Sequence, residues 1–208
     1  MRYAPLMHFL SRPFRRLAVA LSLLTLLAAG PIACVEAQEE MRPEVALAPP
    51  AASCGTPPPV GRLCGCVYDV PPDTKRLPDF AVFVPVEMLC TDRLAVSLRR
   101  GSPGFPGVTS RYESFGVDFH GDFVVGQPGA FAFRLASDDG AKLYIDDALV
   151  LNNDGLHDVR AVEGTVALGA GQHHIRVPYW NGPGPMALTL EVARAGEPYR
   201  ILRADQAL

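Results

Sequence analysis

A chain of 208 residues, 49% hydrophobic and 20% charged, is long and apolar enough to bury a core and too apolar to be disordered throughout. Its 19 basic and 22 acidic residues leave a formal net charge of −3. That balance, with no long run of Lys and Arg, excludes a nucleic acid as its expected partner.

Residues 1–33 read as a secretory leader rather than as part of a fold. Arg2, Arg12, Arg15 and Arg16 supply a positive start, no acidic residue precedes Glu36, and an apolar run extends from Leu17 to Gly30. A transmembrane helix requires roughly 20 apolar residues, and this run is shorter. Two processing sites compete. Pro31-Ile32-Ala33-Cys34 is similar to a bacterial lipobox, in which Cys34 is lipidated and becomes the mature N-terminus; Pro31 departs from that pattern. Val35-Glu36-Ala37 offers ordinary cleavage after small residues. The expected location is a bacterial outer membrane or cell surface, reached as a lipoprotein anchored through Cys34, with a secreted or periplasmic protein as the alternative. Without the four leader arginines, 15 basic residues face 22 acidic ones, a balance of −7.

Cysteine parity agrees with the lipid. Cys34 lipidation leaves Cys54, Cys64, Cys66 and Cys90, an even set for an exported chain. Joining Cys64 to Cys66 would close a very small strained ring, and the two remaining pairings stay open. Both tie the segment around Cys54–Cys66 to itself and to the region of Cys90. Residues 34–60, rich in Pro, Ala and Glu, read as a spacer. Residues 61–79 read as a cysteine-bearing collar broken by prolines, and residues 80–208 as one folded domain.

From Phe80 on, apolar residues recur with a period of two. Phe80, Val82 and Val84 alternate, then Leu94, Val96 and Leu98, then Phe115, Val117 and Phe119. Phe131, Phe133 and Leu135 follow, with Leu143 and Ile145, Ile175, Val177 and Tyr179, and Leu188, Leu190 and Val192. Such alternation, punctuated by Gly, Pro, Asn and Asp, marks half-buried antiparallel strands. So many short strands predict an all-β fold, an antiparallel β-sandwich, because a single sheet does not cover both of its own faces.

Two loops concentrate the chemistry. Asp138-Asp139 ends one strand ahead of Gly140, and Trp180-Asn181-Gly182-Pro183-Gly184-Pro185 ends another. A Ser-Asp-Asp-Gly run also turns a strand, its aspartates capping backbone N–H groups. A second polar cluster, Asp146, Asp147, Asn152, Asn153, Asp154, Gly155 and His157, reads first as a tight turn at NNDG. It lacks the ladder and distal glutamate of a calcium-binding helix–loop–helix hand. His173 and His174 are adjacent, so in a strand they face opposite ways and do not chelate one ion together.

Between about Val82 and Val192, and most clearly after Arg111, the chain carries in order the pieces GFPGVTSRYESFGVDFHGDF, GAFAFRL, SDDGAKLYIDDALVLNNDGLH, GTVALGAGQHHIRVPYW and NGPGPMAL. Together they resemble the protective antigen fourteen (PA14) domain, a β-sandwich of secreted and surface proteins, with Ser114 where an aromatic is more usual. The resemblance implies a calcium-dependent lectin-like module serving in adhesion or polysaccharide attachment. In lectin members of that family two consecutive aspartates joined by a cis peptide bond face one calcium. An asparagine and backbone carbonyls of the second loop complete the shell, and sugar hydroxyls take the exposed side. Carried over residue by residue, Asp138, Asp139 and Asn181 are the expected metal ligands, Gly182, Pro183 and Gly184 the carbonyl donors. His157 flanks the pocket by the same analogy, and Trp180 is a candidate stacking platform for a sugar ring, its place in an alternating strand pointing equally to core or sheet surface. Calcium fits such a set, being a hard cation that takes six to eight oxygens. A structural or protein-interaction module of an envelope lipoprotein, with the aspartates locking a corner, is the second expectation. An enzyme is not expected. No GxSxG, HExxH or P-loop is present, two adjacent aspartates do not face each other across a cleft as glycosidase carboxylates do, and little chain remains for a catalytic domain.

Overall fold

The computed structural model describes residues 54–101, 104–108 and 111–208. The leader, Cys34 and the spacer up to residue 53 lie outside the described residues. Eleven strands form two antiparallel sheets: β1 (Leu63–Asp69), β2 (Glu87–Thr91), β3 (Ala95–Arg99), β4 (Phe115–Val125), β5 (Gly129–Asp138), β6 (Ala141–Ile145), β7 (Ala148–Asn153), β8 (Arg160–Leu168), β9 (Gly171–Asn181), β10 (Met186–Arg194) and β11 (Arg200–Ile201). The larger sheet has the order β2-β1-β4-β9-β6-β7, the smaller β11-β10-β5-β8, and β3 pairs with β10 beside β11. The expected all-β sandwich is therefore present.

Period-two patterning explains the layering. Along β4 and β9, paired from Phe115↔Asn181 to Val125↔Gly171, the residues Val117, Phe119, Phe123, Ile175, Val177 and Tyr179 are buried. They pack between the sheets with Phe131, Phe133 and Leu135 of β5 and Leu188, Leu190 and Val192 of β10. Each strand thus turns every second residue into one shared core.

Three expectations need correction. The segment 61–79 is not a collar outside the sandwich: its residues 63–69 form β1, which pairs with β2 on one side and with β4 on the other. Leu63 and Val67, exposed by 1% and 0%, belong to the core, a burial that the short apolar pattern between cysteines concealed. The alternation of Phe80, Val82 and Val84 is not a strand. Phe80–Val82 is a single 3-10 turn, its start capped by the Asp79 carboxylate, which accepts from the Ala81 N–H at 3.0 Å. Phe80 is buried, stacked on Tyr68 at 4.8 Å, while Val82 and Val84 are 77% and 81% exposed. Flanking Pro78 and Pro85 deny this stretch the donors of a strand ladder.

The tight turn also lies elsewhere than at NNDG. Ile145 pairs with Ala148, so Asp146-Asp147 form a two-residue hairpin loop with φ of 49° and 64°. Positive φ at both central residues is what a hairpin of right-twisted strands requires, and aspartate tolerates it. The Asp146 carboxylate accepts from the His174 N–H at 2.9 Å and contacts His173 Nδ1 at 2.6 Å, which holds that turn against β9. Asn152 and Asn153 belong to β7 instead.

Of the pairings left open by the sequence, the structure has Cys54–Cys66 and Cys64–Cys90. The second crosses the β1–β2 ladder, where Cys64 and Cys90 are register partners.

Candidate functional site

One end of the sandwich gathers three segments: the turn after β5, the loop between β7 and β8, and the loop between β9 and β10. The peptide bond Asp138-Asp139 is cis, and both aspartates are 3% exposed. They open, with Leu156, His157, Asp158, Pro183 and Pro185, onto a cavity of about 270 Å³. The Asp139 carboxylate accepts from the His157 backbone N–H at 3.0 Å through Oδ1 and from the Gly182 N–H at 2.8 Å through Oδ2. One side chain therefore ties all three loops together.

Asn181 is fully buried and does not line the cavity. Its Nδ2 donates to the Tyr112 carbonyl at 3.1 Å and to the Gly182 carbonyl at 3.0 Å. Tyr179 Oη lies 2.7 Å from the Asp138 carbonyl and 3.1 Å from Asn181 Oδ1. A hydroxyl has a single proton, and the shorter contact assigns it to the Asp138 carbonyl. Asn181 thus braces the loop through its amide N–H groups, and its Oδ1 keeps lone-pair capacity beside the aspartates.

Trp180 corrects the sequence reading. It is 0% exposed, so it is a core side chain and not a stacking platform. A strand residue of the same parity as outward-facing Arg176 and Pro178 looks accessible in sequence, but the Asp138 turn folds over it. Its N–H bonds to the Gly140 carbonyl at 2.9 Å, and its indole Nε1 lies where a Cβ on Gly140 would stand, 2.3 Å away. Glycine after the aspartate pair is required by that approach. Pro183 lines the cavity, whereas Gly182 and Gly184 stand outside the lining; Gly184 donates to Glu113 Oε1 at 3.1 Å.

His157 lines the same cavity as the two aspartates. Its ring is held in its own loop, with Nδ1 2.9 Å from the Asp158 carbonyl and Nε2 2.9 Å from the Asn153 carbonyl. The loop is fixed further by Asn153, which donates to Ser137 Oγ at 2.8 Å and accepts from Arg160 Nε at 2.8 Å. Asp154, whose carboxylate pairs with Lys142 Nζ at 3.2 Å and accepts from the Leu77 N–H at 2.7 Å, is structural too. Leu156 and Asp158 line the cavity without having been singled out in the sequence, although their place beside the NDG motif was a usable signal.

The electrostatics favour a cation. Burial first, then the neighbouring carboxylates of Asp139 and Asp158, push the Asp138 carboxyl up to about 6. Among the described residues, no Lys or Arg forms an ion pair with Asp138 or Asp139, and no group of three or more His, Cys, Asp or Glu is arranged around a metal position. A donor set of two carboxylates with amide and carbonyl oxygens nearby suits a hard ion with waters in its shell better than zinc or copper. On that chemistry the residues present fit calcium.

Fold and site together define a β-sandwich with a two-carboxylate pocket at one end. The family model described as the PA14 domain matches residues 102–206, and the chain belongs to that family. No curated protein matches it by sequence. Among solved structures it is similar to the PA14 domain of the MpAFP antifreeze protein, at 16% identity and a TM-score of 0.61, over 74% of this chain and 94% of that one. It is also similar to the PA14 sugar-binding domain from an RTX adhesin, at 19% identity and a TM-score of 0.59, over 70% and 97% of the two chains. A third relative is the epithelial adhesin 9 A domain from Candida glabrata, in complex with Galb1-3GlcNAc, at 12% identity and a TM-score of 0.52, over 70% and 89%.

Proposed function

We propose that this protein is a non-catalytic, calcium-dependent carbohydrate-binding module that acts at a cell surface in adhesion or polysaccharide attachment. The observation that carries it is the pair of buried carboxylates of Asp138 and Asp139, without a Lys or Arg ion-pair partner among the described residues, opening onto a cavity with an apolar wall of Leu156, Pro183 and Pro185. Asp138 and Asp139 would hold the ion, with Asn181 Oδ1 and carbonyls of residues 182–184 as further oxygen donors. When bound, calcium offers open coordination positions to a pair of sugar hydroxyls. The apolar wall contributes contact with the hydrophobic face of a sugar ring. Similarity to sugar-binding adhesin domains supports the reading, as does a disulfide-stapled fold, which belongs to an oxidising compartment. Anchoring through lipidated Cys34 would place the module at the outer membrane or cell surface; secretion or a periplasmic location is the alternative.

Calorimetric titration of calcium into chelator-stripped protein tests this. One ion per chain is expected, with affinity at least ~10-fold weaker in Asp139→Asn, followed by glycan binding that chelator abolishes. No binding by folded wild type would refute the metal site. A second reading has its own observation: both Asp139 oxygens already accept backbone N–H groups, as in a purely structural corner of an interaction module. It predicts that Asp139→Asn lowers stability equally with and without calcium.

A further inference from the structure

A second cavity lies on the outer face of the six-stranded sheet and shares no residue with the Asp138 cavity. It is a groove of about 610 Å³ whose walls include Cys54–Pro58, pinned by the Cys54–Cys66 disulfide, together with Phe80, Ala81 and Phe83. Its floor carries Asp118, His120 and Asp122 of β4 and His174 of β9. The register pairs His120 with Arg176 and Asp122 with His174, which sets the two histidines diagonally on one face. Their ring centroids are 5.8 Å apart, with planes inclined by 32°.

Each imidazole has a carboxylate against one nitrogen. His120 Nε2 lies 3.3 Å from Asp118 Oδ2, and His174 Nδ1 lies 3.2 Å from Asp122 Oδ1. Asp118 is itself fixed by Arg176, whose Nε and Nη2 approach its two oxygens at 2.9 and 3.0 Å. A carboxylate on one ring nitrogen draws the N–H there and leaves the lone pair on the other, here His120 Nδ1 and His174 Nε2. Metal-ligating histidines are held in this manner, their second nitrogen on a carboxylate that fixes the tautomer and raises basicity. At side-chain exposures of 41% and 42% both rings are accessible. Ring centroids near 6 Å are compatible with two imidazoles on one ion, given metal–nitrogen bonds of about 2 Å and small rotations of the rings.

We propose that His120 and His174 form a two-imidazole site for a divalent transition metal such as nickel, zinc or copper, on the floor of this groove. Asp118 and Asp122 orient the rings and contribute negative charge, and water or a ligand in the groove fills the remaining positions. Imidazole selects these ions over calcium, so the site is chemically distinct from the Asp138 pocket and does not depend on that reading. With two protein ligands the site is open, and a micromolar affinity is expected rather than that of a closed four-ligand centre.

The test is calorimetric titration of nickel into protein without a polyhistidine tag, in a Cys34→Ser background that removes the cysteine outside the two disulfides, with calcium saturating. One ion per chain is expected, lost in His120→Ala and in His174→Ala. Asp122→Asn should weaken binding ~10–100-fold, as expected for the loss of an outer-shell partner. Copper spin resonance should show two coordinating nitrogens, a signature absent from either single variant of unchanged melting temperature. Absence of saturable binding, or binding that survives both histidine variants, would overturn the proposal.

Discussion

Asp138 is a buried carboxylate beside another carboxylate, and the consequence is a definite pH dependence. Its folded pKa of about 6 lies above the 3.8 of a free carboxyl, so ionisation opposes folding. The stability it contributes is fully present below about pH 4 and is lost as pH rises through about 6. In chelator at pH 7.5, Asp138→Asn is therefore expected to raise unfolding free energy by on the order of 1–2 kcal/mol, within the ceiling of about 3 set by 1.36 kcal/mol per tenfold change. At pH 4 the two proteins should agree, and calcium should reverse their order at neutral pH. Denaturant unfolding in chelator across this range is the measurement, and a variant less stable than wild type at pH 7.5 would refute the assignment. Gly140 gives a second residue-scale expectation. A Cβ there would meet the Trp180 indole nitrogen at 2.3 Å and Asp154 Oδ1 at 3.0 Å. Gly140→Ala should cost about 1–3 kcal/mol, read as a lower denaturant midpoint, because neither neighbour is free to retreat. At this scale the grouping of Asp138, Asp139 and His157, which line one cavity, was legible through the family resemblance and not through local pattern. It did not show that Asn181 turns its N–H groups to Tyr112, or that Trp180 is covered. Those facts depend on contacts between segments about 40 and 70 residues apart, which local pattern does not carry.

Among the elements, β1 was the least legible and has the most specific consequences. Its sequence, LCGCVYD, alternates cysteine with apolar residues, so a pattern of staples obscured a pattern of burial. The two disulfides act differently on it. Cys64–Cys90 joins register partners on β1 and β2 across a separation of 26 residues, whereas Cys54–Cys66 closes 12. Loop entropy alone makes the longer one worth about 0.7 kcal/mol more, within a usual range of 2–4 kcal/mol. Replacing the pair Cys64 and Cys90 by serine also puts hydroxyls at positions 7% and 9% exposed. This double variant should melt below the Cys54/Cys66 double variant, and scanning calorimetry of the two checks the order. The reverse order would show that the wall at Cys54–Pro58 matters more to the fold than the β1–β2 seam. The misplaced turn teaches a similar lesson. Asp146-Asp147 and NNDG both carry turn residues, and the choice between them rests on which leaves Leu143 and Leu151 paired on the buried face.

For the whole molecule, the sandwich was legible because its longest strands, β4, β5, β9 and β10, all show period-two patterning and form the two sheet centres. Its N-terminal limit was not. A chain beginning at Phe80, the boundary that alternation suggests, lacks β1 and thereby uncovers the full edge of β4 from Phe115 to Gly121. It also removes Leu63 and Val67 from the core and strands β2, whose only strand partner among the described residues is β1. Leaving ladder groups unpaired beside Val117 and Phe119 exposes a long apolar edge, the usual route to strand-to-strand aggregation. The expected outcome is that residues 54–208 unfold cooperatively with a midpoint raised by calcium, by about 2.7 kcal/mol of added stability at a hundredfold excess over the dissociation constant. Residues 80–208 should give no cooperative transition and no saturable calcium binding, because the loops holding Asp138 and Asp139 are oriented by the sheet that β1 completes. Circular dichroism melts of the two fragments, each with and without calcium, decide it. A cooperative melt of the shorter fragment near the midpoint of the longer would mean that β4 and β9 support the site without their neighbours, and that the cysteine-bearing segment is an attachment to the sandwich rather than part of it.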